Sequence, residues 1–106
     1  MEPRGAIGSY DPVEGRYTIR CTVQSAHGIK AALAGQIFKV PHNKVRVICD
    51  NMGGGFGMKG GCYPEYALSL FAAEVIGRPV RWTAERSEGV MTDEMSRGSH
   101  VEGTLA

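Results

Sequence analysis

Residues 45–77 read VRVICDNMGGGFGMKGGCYPEYALSLFAAEVIG, a run that holds six of the chain's fifteen glycines between Gly53 and Gly61. On its N-terminal side KVRVICD alternates, with Val45, Val47 and Cys49 facing one way, which is the period of a strand. On its C-terminal side Pro64 stands where a first helical residue is favoured, and Glu65 beside it suits the positive end of a helix dipole. Leu68, Phe71, Ala72, Val75 and Ile76 then make an apolar stripe, and Gly77 is a ready C-terminal cap. Leu70 and Ala73 lie off that stripe, so this helix is expected to be covered on more than one side. The glycines therefore sit where a strand turns into a helix. Each adds to the entropy lost on folding, so the run needs a reason: positive φ, close backbone approach, or a main chain that touches a ligand.

Outward from this centre the pattern stays mixed. RYTIRCTV alternates strictly, with Tyr17, Ile19, Cys21 and Val23 on one face, a half-buried strand. GAIGSY before it is a shorter strand, and DPVEGR between them is rich in turn residues, which predicts a hairpin. In SAHGIKAALAGQIFKVPHN, Ile29, Leu33 and Ile37 recur at four-residue spacing beside Ala32, a helical stripe that Gly28 and Gly35 weaken and Pro41 ends. RPVRWTAER gives a strand with Val80, Trp82 and Ala84 on one face. SEGVMTDEMSRGSH has no clean period and reads as loop, with Glu85, Glu88, Asp93 and Glu94 as a solvated acidic set. HVEGTLA is a candidate last strand.

The fold class is thus α/β (α+β): a mixed sheet of four to five strands with two helices packed on it, in the order β-β-α-β-α-β, with a further β if the last strand forms. The 106 residues are one domain at most, 1–106. Net charge is +1, which gives no broad field for nucleic acid or an acidic membrane. No apolar run reaches the ~20 residues of a membrane span, and no leader has the signal-peptide pattern. Cys21, Cys49 and Cys62 have no CxxC spacing, which argues against a disulfide framework and a zinc site and for a reducing compartment, the cytoplasm. His27, His42 and His100 lack ligand spacing and are expected at a helix start, a turn and a strand edge.

Three readings of the glycine run compete. A tight strand-to-helix connection needs one or two glycines rather than six. A nucleotide-binding module would use Gly55, Gly57 and Gly60 as G-x-G-x-x-G, with Glu85 some 25 residues on. Against it, Pro64 removes a donor from the helix start, and two strands and a helix precede a loop that normally opens such a fold. A Walker loop is excluded, because Lys59 follows Met58 and precedes Gly60.

The third reading is a resemblance. GGGFGMK, with YTIRCTVQSAHGIK before it, GRPVRWTAERSE after it and MEPRGAIGSYD at the start, resembles the molybdenum-binding large subunit of the xanthine dehydrogenase, aldehyde oxidase and aerobic carbon-monoxide dehydrogenase family over nearly the whole chain. The resemblance implies a fragment of the molybdopterin-binding region of a larger subunit, in an oxidoreductase that hydroxylates a carbon centre (aldehyde, heterocycle or CO) with water-derived oxygen. It implies a molybdenum-pterin cofactor, as molybdopterin cytosine dinucleotide or molybdopterin, and iron–sulfur and FAD groups on other domains or subunits. Partners so implied are the remaining domains of the large subunit, the iron–sulfur and flavin subunits, and a small-molecule substrate.

Because pterin sulfurs hold the metal, the polypeptide need only donate hydrogen bonds to the metal's oxygen ligands. By resemblance Phe56 and Gly57 lie against the molybdenum, Gly54 and Gly55 shape the turn, the Phe56 ring walls the pocket, and Gln24 offers its side-chain amide. No catalytic residue and no metal ligand is assigned, because the family's base glutamate belongs to a C-terminal part outside these 106 residues. The purine-oxidising branch carries a glutamate where this chain has Gly60, and GCYPEYALSLFAAEVIGRPVRW resembles the carbon-monoxide-dehydrogenase-like branch. A non-catalytic interaction domain on the same scaffold stays open.

Overall fold

The computed structural model describes residues 2–94, 98 and 100–105. Among them four strands form one sheet: β1 (Gly5–Asp11), β2 (Arg16–Cys21), β3 (Val45–Ile48) and β4 (Val80–Thr83), in spatial order β3-β2-β1-β4. β1 pairs antiparallel with both β2 and β4, while β2 and β3 run parallel, so the sheet is mixed as the sequence implies. The predicted hairpin is present: Asp11 Oδ1 accepts the amides of Val13 and Glu14, an Asx-type turn that closes β1 onto β2.

Helices cover one face of the sheet, a two-layer arrangement. Tyr17, Ile19, Cys21 and Val23 are buried there, as their alternation predicts, together with Ala6, Ile29, Leu33, Val45, Tyr66 and Leu70. α1 (Ala26–Ala31) is capped by Ser25, whose hydroxyl accepts the Gly28 amide. It runs directly into a π-helical turn over Ala32–Ile37, where the Phe38 amide bonds to the Leu33 carbonyl five residues back. That extra residue corrects the predicted stripe. Ile29 and Leu33 are buried, but Ile37 is rotated out and exposed, and Phe38 takes its place, stacked on Tyr17 with ring centroids 4.4 Å apart. The helix stops there, before Pro41 is reached, with Lys39 in the left-handed region.

The helix after the glycines, α2 (Pro64–Ile76), begins and ends where predicted, with Pro64 at its first turn and Gly77 as a left-handed cap. Its packing face is a correction. Tyr66, Ser69, Leu70 and Ala73 face the sheet, while Leu68, Phe71, Val75 and Ile76 are exposed. The sheet selects the side that carries Ser69, because Gly8 of β1 meets the helix backbone so closely that a Cβ there would lie 2.7 Å from the Ser69 carbonyl. The predicted stripe is left outside.

Two further expectations are corrected. Arg86–Met91 form a short helix, α3, within the segment read as loop. It carries a capping box in which Glu88 accepts the Glu85 amide and the Glu85 side chain accepts the Glu88 amide. A six-residue helix is too short to show a period, and its cap uses glutamate where serine or threonine is the usual signal. The acidic set is accordingly not merely solvated: Asp93 accepts the Tyr63 hydroxyl at 2.6 Å. The candidate last strand is not formed over residues 100–105; position 106 and positions 95–97 and 99 of the preceding loop lie outside the described residues. His27 lies in the first turn of α1 and His42 in a 3₁₀ turn, as expected. His100 is on no strand edge, and its ring pairs with Glu102 instead.

Candidate functional site

The glycine run occupies the space beyond the C-terminal ends of the parallel strands β2 and β3 and delivers the chain into α2. The chain that leaves β2 crosses beside it, and the Gln24 amide donates to the Lys59 carbonyl at 2.9 Å. This bond ties the two segments whose residues the resemblance singles out.

Gln24 and Gly55 are in intimate contact. A Cβ on Gly55 would lie 2.5 Å from the Gln24 side-chain carbons and 2.8 Å from its amide nitrogen, so a larger residue there would displace that side chain from its seat. Gln24 is itself exposed, which leaves its terminal amide open to a ligand. Gly54 and Gly57 have φ of +83° and +86°, the region where glycine carries no Cβ penalty. Phe56 between them is at +51° and is not glycine. Its ring is 76% exposed, so burial in this chain does nothing to offset the strain of that conformation.

Hydrogen bonding within the loop is sparse. Gly60 donates to the Gly57 carbonyl at 3.3 Å, and Gly53 donates to the Glu2 carboxylate. Among the described residues the amides of Gly54, Gly55, Phe56 and Gly57 donate no hydrogen bond. Four successive free N–H groups with one exposed carboxamide beside them form a neutral donor array suited to negatively charged oxygen.

Bases are lacking within that array. Lys59 is fully buried, its ammonium 2.7 Å from Glu2. The hydrogen bond from Lys59, with that from Gly53, holds the Glu2 carboxyl below the usual carboxylate value. Cys62 follows the loop half-buried, its thiol pushed up by burial, and Cys21 is pushed up to about 12 by burial in the core. Neither is poised as a nucleophile. Among the described residues no group of three or more His, Cys, Asp or Glu could hold a metal ion. Glu85, required by the dinucleotide reading, is occupied in the cap of α3.

Sequence reasoning missed the N-terminal segment. Arg4 is fully buried, its guanidinium 3.7 Å above the Tyr63 ring, with bonds to Thr92 Oγ1 at 2.6 Å and the Met58 carbonyl at 3.4 Å. Glu2, Arg4 and Lys59 lie within the stretches that carry the resemblance but have no role assigned there, and their long-range pairing reveals one.

Among the described residues, then, a two-layer α/β domain presents main-chain amides and one carboxamide at its glycine loop. The chain belongs to the molybdopterin cofactor-binding domain family, which it matches over residues 1–106. It is 37% identical over its whole length to the carbon monoxide dehydrogenase large chain of Hydrogenophaga pseudoflava, of which it spans 13%. Among solved structures, 84% of the chain superposes on 11% of a chain of CO dehydrogenase from Oligotropha carboxidovorans, with TM-score 0.79 and 35% identity. It superposes equally well on quinoline 2-oxidoreductase from Pseudomonas putida 86, with TM-score 0.79, 30% identity and the same two coverages.

Proposed function

We propose that this chain is the part of a larger molybdenum hydroxylase subunit that walls the metal end of the molybdopterin cofactor. The observation that carries the reading is the Gln24 side chain laid on Gly55 beside four free amides, Gly54 to Gly57. These residues would hold the group: the amides and the Gln24 carboxamide would donate to its oxygen ligands, and the Phe56 ring, exposed in this chain, would cover it and exclude water. When bound, the cofactor supplies two-electron redox chemistry at molybdenum. The chain's own residues orient and stabilise negative charge, and they move no proton.

On this reading the whole enzyme hydroxylates an aldehyde, a heterocycle or CO with water-derived oxygen, and the purine branch is disfavoured by Gly60. The base, the iron–sulfur clusters and the FAD belong to other domains or subunits, and the pterin is the cytosine dinucleotide or molybdopterin itself. The cytoplasm is the proposed location, on the cysteine usage of the sequence. Among the described residues no helix is long and apolar enough to cross a membrane. The rest of the large subunit packs on the apolar outer face of α2. Support comes from the exposure of Leu68, Phe71, Val75 and Ile76 and from the 13% share of its relative's length that the chain spans.

The test is made in the full-length subunit. Gln24→Ala and Phe56→Ala are expected to lower turnover, on the order of 100-fold for loss of one preorganised donor, with the fold intact by circular dichroism. The 106 residues alone are expected to bind little or no molybdopterin, measured as pterin per chain. Wild-type kinetics in both variants, or stoichiometric pterin on the short chain, would overturn the reading.

A further inference from the structure

The N-terminal segment does something to the glycine loop that the reading above leaves out. One oxygen of Glu2, Oε2, accepts the amide of Gly53 at the start of the loop and the Lys59 ammonium at its end. The approach is built in on both sides. A Cβ on Gly53 would lie 2.8 Å from Glu2 Cβ, so the first glycine of the run makes room for this carboxylate. Lys59 is fully buried, a position costly for an ammonium unless an anion reaches it. Two residues on, Arg4 reaches the Met58 carbonyl. Lys59 also carries the carbonyl that accepts the Gln24 amide, so the same residue links Glu2 to the side chain resting on Gly55.

We propose that Glu2 and Lys59 are a positioning pair that staples the two ends of the glycine loop and thereby sets the spacing of the amides from Gly54 to Gly57 and of Gln24. The pair touches no cofactor; it acts through the loop, and its importance for turnover rests on the cofactor-wall reading. The geometry explains why the run begins in glycine and why a lysine without phosphate-loop context stands near its end. A loop this rich in glycine has many conformations, and a single carboxylate bridging Gly53 and Lys59 narrows them.

The experiment uses the full-length protein with Glu2→Ala, which removes both contacts at a partly exposed position, and Glu2→Gln, which keeps an acceptor but not the charge. Hydrogen exchange resolved to single amides is expected to be about tenfold or more faster at Gly53 and Gly60, the loop amides that donate a hydrogen bond, in Glu2→Ala and intermediate in Glu2→Gln. Exchange in α2 is expected to be unchanged in both. Arg16→Ala, which breaks a distant surface pair with Glu14, is expected to leave loop exchange at the wild-type rate. In the same samples kcat is expected to fall with KM for substrate retained, alongside an altered Mo(V) paramagnetic signal. Wild-type loop exchange in Glu2→Ala would overturn the staple. Faster exchange with unaltered kcat and Mo(V) signal would uphold the staple and sink the cofactor-wall reading instead.

Discussion

Phe56 places an aromatic residue at positive φ with most of its ring in solvent, an arrangement that favours neither its backbone nor its side chain. Strained residues of this kind persist where something else depends on the geometry. A stability measurement separates this position from a core aromatic. Phe56→Gly is expected to leave the urea midpoint, followed by Trp82 fluorescence, unchanged or slightly raised, because glycine accepts the conformation freely. Leu70→Ala, at a fully buried position, is expected to cost ~2–5 kcal/mol in the same assay. A large loss in Phe56→Gly would show that the ring packs in the folded chain. Gln24 and the glycines were singled out by resemblance alone, and the fold brings the Gln24 side chain onto Gly55. Glu2, Arg4 and Lys59 were not legible, since pairs separated by more than fifty residues leave no local pattern.

At the scale of elements, local periodicity located both major helices, but it misjudged which residues of each face the sheet. In α2 apolar residues run all round, so counting them picks the stripe with the most aliphatic residues, whereas the sheet picks the side that lets Gly8 meet Ser69. After α1 the π turn adds a residue between Leu33 and its successor in the core, which no fixed 3.6-residue spacing anticipates. Strands were easier to read, because alternation in β2 survives any change in what covers it. Gly8→Ala is expected to destabilise by roughly 1–3 kcal/mol, since backbone rather than a flexible side chain must give way. Gly35→Ala, with nothing within 4 Å of the new methyl group, is expected to be neutral or to stabilise by about 0.4–1 kcal/mol. Paired urea titrations distinguish these outcomes; equal effects at both sites would refute the account of how α2 is seated.

The whole molecule has a pH signature. Burial, first among the causes at each, raises the hydroxyls of Tyr17, Tyr63 and Tyr66 (Tyr63 to about 12) and the thiols of Cys21 and Cys62. The unfolded chain would release these protons at ordinary thiol and phenol values, about 8.5 to 10. Between those values and the raised ones the folded state binds more protons than the unfolded state, so stability falls as pH rises. It is present in full below about pH 8.5 and declines through about pH 12. Urea midpoints are expected to drop steadily over that interval, with phenolate absorbance appearing late and together with unfolding. A flat midpoint, or early ionisation of all four tyrosines, would count against the buried positions assigned to three of them.

The strand order β3-β2-β1-β4 also bears on how the chain is made. The two central strands are the first two of this domain in sequence and are joined by a tight turn, so the middle of the sheet can pair as soon as both have been synthesised. Each later strand then docks on an edge that is still open, β3 on one side and β4 on the other. No strand has to be threaded between partners already joined. Synthesis and assembly can proceed in the same direction, with the glycine loop laid down only after the strand that Gln24 follows is in place.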